Sequence, residues 1–108
     1  MFFHFSQNNS GGNLDINEKV AHHVIIEAFG AHDANLRAES IGIYFDGVDG
    51  GWDHPSFGDR WHDVCGRGDA EPLIYGEPPE QYVDTFARKG EPYCHVYYLD
   101  GQKVTYRK

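Results

Sequence analysis

Between positions 53 and 65 the chain gathers Asp53-His54, Asp59, His62-Asp63 and Cys65. Imidazole, thiolate and carboxylate are the groups that zinc takes as ligands, which makes His54, His62 and Cys65 candidate metal residues. Their spacing, H-x7-H-x2-C, matches no paired-ligand template, and a structural zinc site needs four ligands in a tetrahedron. The cofactor expectation is therefore none, with zinc as the alternative. The same stretch holds Gly58-Asp59-Arg60-Trp61. A guanidinium beside a carboxylate and an indole can recognise an anion or stack on a base or sugar. The competing reading is an internal salt bridge over a buried Trp61. Together with His62, these residues are candidates for contact with a ligand or partner. No Ser or Cys stands in a nucleophile motif with a base, so no catalytic residue is assigned. The enzymatic alternative is a metal-dependent nucleotide or phosphoester hydrolase using His54, Asp59 and His62.

A second polar concentration lies near the N-terminus. Gln7-Asn8-Asn9-Ser10-Gly11-Gly12-Asn13 contains no apolar side chain and follows directly on Met1-Phe2-Phe3-His4-Phe5. Asn and Gly tolerate positive φ, and Ser and Asn side chains bond their own backbone, so the run reads as a turn or long loop. A glycine-rich loop cradles phosphate when it leads from a strand into a helix N-terminus, but no helix pattern and no P-loop lysine follow here. Gln7, Asn8, Asn9, Ser10, Gly11 and Gly12 remain candidates for a polar ligand or a protein partner. His22-His23 precedes a strand, and alternation would send the two rings to opposite faces, one toward solvent. Cys94 falls inside a strand pattern and is expected to be buried and inert. Cys65 and Cys94 are expected to be free thiols, since two distant cysteines make no disulfide scaffold.

The elements that must position these groups follow from pattern. Phe2 to Ser6 reads as a short strand, and Val20 to Phe29, with Val24-Ile25-Ile26 at its centre, as a stronger one. A helix capped at His32 or Asp33 runs to about Ile41, with Ala34, Ala38 and Ile41 as its buried stripe and Gly42 as its stop. A short strand, Ile43-Tyr44-Phe45, comes next. Residues 46 to 68 hold six glycines and both tryptophans, a long irregular segment pinned by Trp52, Phe57 and Trp61. After an extended piece at 72–76, Pro78-Pro79 opens a second helix with Tyr82, Val83, Phe86 and Ala87 on its apolar face. Tyr93 to Leu99, Asp100-Gly101 and Gln102 to Arg107 form a hairpin with a two-residue turn, pairing Tyr97 with Val104 and His95 with Tyr106. The sum is an α+β fold, a mostly antiparallel sheet with two helices on one face and a C-terminal β-hairpin.

The 108 residues make one domain, 1–108, with room for one modest core. The composition is that of a folded globular chain, 40% hydrophobic and 15% aromatic. A net charge of −8 argues against a basic nucleic-acid-binding patch. The acids are scattered singly, which is the pattern of an acidic surface rather than of a DNA mimic. No apolar run reaches the ~20 residues that span a bilayer, and no basic n-region with a long apolar core opens the chain. A cytoplasmic protein without a membrane is the expectation. The edge of the terminal hairpin, residues 102 to 108, could pair across a two-fold axis in a homodimer, although its lysines and arginine also suit a protected edge.

Phe2-Phe3 with Gln7-Asn8-Asn9-Ser10-Gly11-Gly12, Val24-Ile25-Ile26-Glu27-Ala28, Ala38-Glu39-Ser40-Ile41-Gly42-Ile43-Tyr44-Phe45-Asp46-Gly47, Gly58-Asp59-Arg60-Trp61, Ile74-Tyr75-Gly76 and Tyr98-Leu99-Asp100-Gly101 resemble a family of small uncharacterised proteins of tailed bacteriophages. The resemblance covers nearly the whole chain. It implies a phage accessory protein in the cytoplasm of the infected host and supplies no established activity. Members tend to carry a cysteine cluster just before the Gly-Asp-Arg-Trp string, where this chain has His54-Pro55-Ser56-Phe57. The expected function is binding rather than catalysis: occupying a host protein or sequestering a small polar or nucleotide ligand, in the manner of a counter-defence inhibitor. The alternative is a small zinc-stabilised structural or interaction module.

Overall fold

The computed structural model describes residues 1–9 and 13–108. The chain runs β1 (Phe2–Ser6), β2 (His23–Glu27), α1 (Ala31–Ser40), a three-residue 3-10 turn (Pro79–Gln81), β3 (Pro92–Tyr97) and β4 (Lys103–Arg107). The strands form one sheet in the order β1-β2-β3-β4. β1 and β2 are antiparallel, β2 and β3 parallel, β3 and β4 antiparallel, so the sheet is mixed. The architecture is α+β, with one α-helix among the described residues where the sequence suggests two.

Both central strands are covered on both sides, which is why Val24-Ile25-Ile26 is a continuous apolar run rather than an alternation. Val24 and Ile26 face a core with Phe3, Phe5, Ala34, Ala38, Ile43 and Trp61. Ile25 faces the other way, into a core with Phe2, Ile74, Ala87, Tyr93, Cys94 and Val96. Helix α1 lies over the first face. Its buried residues are Ala34 and Ala38, and Ile41 packs beside them as expected. The N-cap is Gly30, two or three residues before the His32 or Asp33 cap expected from sequence, and glycine has no side chain to cap with. Asp33 Oδ2 instead accepts from Phe29 N–H (3.1 Å) and from Arg37 Nε (2.9 Å) one turn on. Gly42, at φ 100°, stops the helix.

Several expectations are corrected. Residues 43–45 form no strand; Ile43 is a core residue at the end of the helix. Residues 78–87 form no α-helix. Pro78 sits at ψ 142°, as a residue before proline prefers, and Tyr82 at ψ 132° is extended, which ends the turn after three residues. Asp84 then bonds its own neighbourhood, Oδ1 accepting from Phe86 N–H (2.7 Å) and Ala87 N–H (3.0 Å), an alternative to helical bonding that short acidic side chains favour. Of the aromatics expected to pin the irregular segment, only Trp61 is buried; Trp52 and Phe57 are exposed.

The terminal hairpin is present, with its register moved by one. Tyr98 N–H donates to Gln102 O and Gly101 N–H to Tyr98 O, with Gly101 at φ 92°. That closes a three-residue loop with glycine in the left-handed position rather than a two-residue turn. His95 therefore stands opposite Thr105, and Tyr106 opposite Cys94. A one-residue slip exchanges faces. Tyr106 consequently joins Tyr93 in the second core, whereas Tyr97 packs on the helix side.

Candidate functional site

Two polar regions result, one on the surface and one inside. The surface region joins the two segments that the sequence singles out. Gln7 is buried and its amide is fully engaged: Nε2 donates to Asp15 O (2.7 Å) and Ala21 O (2.6 Å), and Oε1 accepts from Asp15 N–H (2.8 Å). Asn8 N–H donates to Arg60 O, and its Nδ2 to Phe57 O (2.7 Å) and Asp59 O (3.3 Å). The N-terminal loop thus folds onto the Gly-Asp-Arg-Trp string. Asn9 is half-buried, and Ser10, Gly11 and Gly12 lie outside the described residues.

Arg60 is held from several sides. Its Nε donates to Tyr44 Oη (3.1 Å) and lies 3.3 Å from Asp15 Oδ2 and 3.8 Å from Asp53 Oδ1. Its Nη1 donates to Asn13 O (3.0 Å). Asp59 Oδ1 accepts from Val48 N–H. Trp61 is buried in the helix-side core, and His62 is exposed. Arg60 is thus in an internal salt bridge and Trp61 is in the core, but the carboxylates are those of Asp15 and Asp53 rather than the adjacent Asp59. Beside it an open cavity of about 200 Å³ is lined by Asn8, Asn13, Asp53, His54, Phe57, Gly58 and Arg60. His54, His62 and Cys65 are exposed. Among the described residues they form no group with metal-ligand distances.

The interior region was not anticipated. His22 and His23 are both buried, with ring centroids 4.1 Å apart, not on opposite faces. The strand begins at His23, so alternation does not govern His22. His22 Nδ1 lies 2.8 Å from Asp84 Oδ2; a carboxylate oxygen can only accept, so His22 carries the proton there. His23 Nδ1 lies 2.8 Å from His4 Nε2, and His23 Nε2 is 3.8 Å from Asp84 Oδ2, too far for a hydrogen bond. Tyr82 meets His23 edge-on at 4.9 Å, and Phe86 meets His22 at 5.4 Å.

Over this cluster lies Tyr75. It is the only non-glycine residue with positive φ among the described residues, at 49°. With Gly76 at φ 85°, and with Ile74 and Glu77 exchanging two backbone bonds, it makes a tight turn with both central residues left-handed. The strain aims the ring edge-on at His4 (4.8 Å) and His23 (5.7 Å), and its hydroxyl donates to Ser6 Oγ (3.0 Å).

Burial sets the charge states. It pushes His4 down to about 4, with the neighbouring His22 adding to the effect. It pushes His23 down to about 3, with His22 and His4 adding and Asp84 opposing. Burial works the other way on Asp84, but the Phe86 and Ala87 N–H groups and His22 outweigh it and hold the carboxyl below its ordinary value. The interior region is thus two neutral imidazoles, His22 and one carboxylate, drawn from β1, β2 and the loop after the 3-10 turn. The adjacent His22-His23 pair is visible in sequence; its partner Asp84 is 62 positions from His22 and carries no local signal.

Cys65 is exposed and Cys94 buried, and both are free, as expected. Burial pushes the Cys94 thiol up to about 12, which leaves it inert. Among the described residues no helix is long and apolar enough to cross a membrane. A family model described as a domain of unknown function (DUF7296) matches residues 1–108. No curated protein and no solved structure is matched.

Proposed function

We propose that this chain, which belongs to that family along its whole length, acts by binding a partner protein and not by catalysis. The observation that carries the reading is at the surface region. There the two polar segments converge on a cavity that Phe57, 48% exposed, helps to line, and Trp52, next to the lining residue Asp53 in sequence, is 65% exposed. Exposed tryptophan and phenylalanine beside satisfied polar groups are the composition of a protein-contact surface. A cavity of about 200 Å³ is smaller than the ~300 Å³ at which drug-sized ligand sites begin, and suits a single inserted side chain. The net charge of −8 favours approach by a basic partner.

The source and setting follow from the resemblance. The chain is a phage accessory protein working in the cytoplasm of the infected cell, and its partner is a host protein whose occupation blunts a defence. The test is affinity capture from infected host cells with native mass spectrometry of the eluate, run beside Trp52→Ala with Phe57→Ala. The expected result is a stoichiometric host protein retained by the wild-type chain and lost from the double variant at unchanged melting temperature. Equal retention by the variant removes this surface from the reading, and a small molecule in place of a protein overturns it.

A further inference from the structure

We infer that His22, His23 and Asp84 form a zinc site, closed from solvent by Tyr75, Tyr82 and Phe86 and tuned from behind by His4. One donor atom from each of the three residues lies within 4.8 Å of the others. Zinc holds imidazole nitrogen and carboxylate oxygen at about 2.0–2.2 Å, so two ligand atoms of one tetrahedron sit about 3.3–3.5 Å apart. The 2.8 Å between His22 Nδ1 and Asp84 Oδ2 and the 3.8 Å between His23 Nε2 and Asp84 Oδ2 straddle that spacing. The third pair, between the two imidazoles, lies within 4.8 Å, so side-chain movements of at most about 1.5 Å separate the present arrangement from a coordinating one.

The orphan atom points the same way. His23 Nε2 is the one buried side-chain nitrogen or oxygen among the described residues with no hydrogen-bond partner, and His23 is 0% exposed. A buried polar group without a partner is costly and rarely kept without reason. It is aimed at Asp84. His4 supplies what a ligating imidazole normally has, a group that fixes the other ring nitrogen. The 2.8 Å contact between His4 Nε2 and His23 Nδ1 accommodates the tautomer that ligation requires, in which His23 Nδ1–H donates and Nε2 presents a bare lone pair to the site. Two imidazoles and a carboxylate select zinc over magnesium or calcium, which prefer all-oxygen shells. On binding, zinc replaces the proton on His22 Nδ1, and the neutral ring carries its proton on Nε2 instead. A water molecule completes the fourth position. The site would tie the loop after the 3-10 turn, through Asp84, to the first residue of β2.

The experiment uses the full chain, stripped with chelator and titrated with zinc sulfate. It is followed by elemental analysis, melting temperature and the 15N signals of the imidazole rings. One zinc per chain is expected, with the His23 Nε2 signal moving on saturation. The melting temperature should rise, and a hundredfold excess of free zinc over Kd should lower the unfolded-to-folded ratio about a hundredfold. His4→Phe, which removes the acceptor behind His23, should weaken binding by about tenfold to a hundredfold, while His4→Gln retains it. Wild-type protein that is folded yet takes up no stoichiometric zinc overturns the site. So does zinc binding that leaves the His22 and His23 ring signals unmoved, or that survives in the His22→Gln, His23→Gln double variant. The wild-type ring signals decide the matter even where a variant fails to fold.

Discussion

At the surface region, Gln7 commits both ends of its amide to the backbone of Asp15 and Ala21, and Arg60 is held by Tyr44, Asn13, Asp15 and Asp53. At the interior region, His23 is more deeply buried and leaves a ring nitrogen unpaired. The first is conspicuous in sequence and spends its polar groups on closing a loop. The second is inconspicuous and keeps polar capacity in reserve. A polar side chain that has bonded everything within reach is structure first. One that remains unpaired where solvent cannot reach it is poised for something else.

The sharpest way to break that comparison is at the floor of the surface region. Trp61 is 1% exposed and anchors the Gly-Asp-Arg-Trp string to the helix-side core. Trp61→Ala should cost about 3–5 kcal/mol, the range for emptying a large aromatic site. Urea unfolding measures it directly. If Trp61→Ala loses less than ~1 kcal/mol, the string is not held as the structure has it, and the surface region is a mobile site instead of a braced one.

Gln7→Ala comes next. It leaves the carbonyls of Asp15 and Ala21 and the Asp15 N–H without their side-chain partner in a largely buried place, at a cost of about 2 kcal/mol. The same change at a ligand-contact residue would leave the unfolding midpoint alone and reduce capture of the partner. A Gln7→Ala chain with wild-type stability and lost capture would turn the loop from a brace into a site.

What could be read in the sequence follows the same divide. The first two strands, the helix on Ala34 and Ala38, the glycine stop at 42 and the terminal hairpin all carry local signals, and each is present. The second helix failed because Asp84 has a local competitor for the backbone that its apolar neighbours do not reveal. The hairpin register failed by one because Asp-Gly suits a two-residue turn, while the bonding of Tyr98 to Gln102 selects three. The histidine cluster was illegible for a different reason. His4, His22 and Asp84 meet only after β1 has paired with β2 and the loop has folded back over them, a placement set by long-range packing.

His95 offers the finest cut between the two behaviours, because it is as buried as His23 and yet fully paired. Its Nε2 lies 2.8 Å from Asn17 O, which can only accept, so the ring proton is there and Nδ1 accepts from the Thr105 hydroxyl at 2.8 Å. Burial lowers its pKa, and Lys103 and Arg107 lower it further against the opposing carbonyls of Asn17 and Val20. A histidine held below its unfolded value of ~6.5 is protonated first in the unfolded chain. Its contribution is therefore fully present above that pH and is lost as the pH falls toward the folded value. Ring-proton NMR should show His95 titrating at lower pH in the native chain than in urea. Thr105→Val removes one hydrogen bond at a half-exposed position and should cost about 1 kcal/mol. A native His95 that titrates at or above its unfolded value would mean that the ring is wet, and burial of an imidazole beside this sheet would no longer imply neutrality.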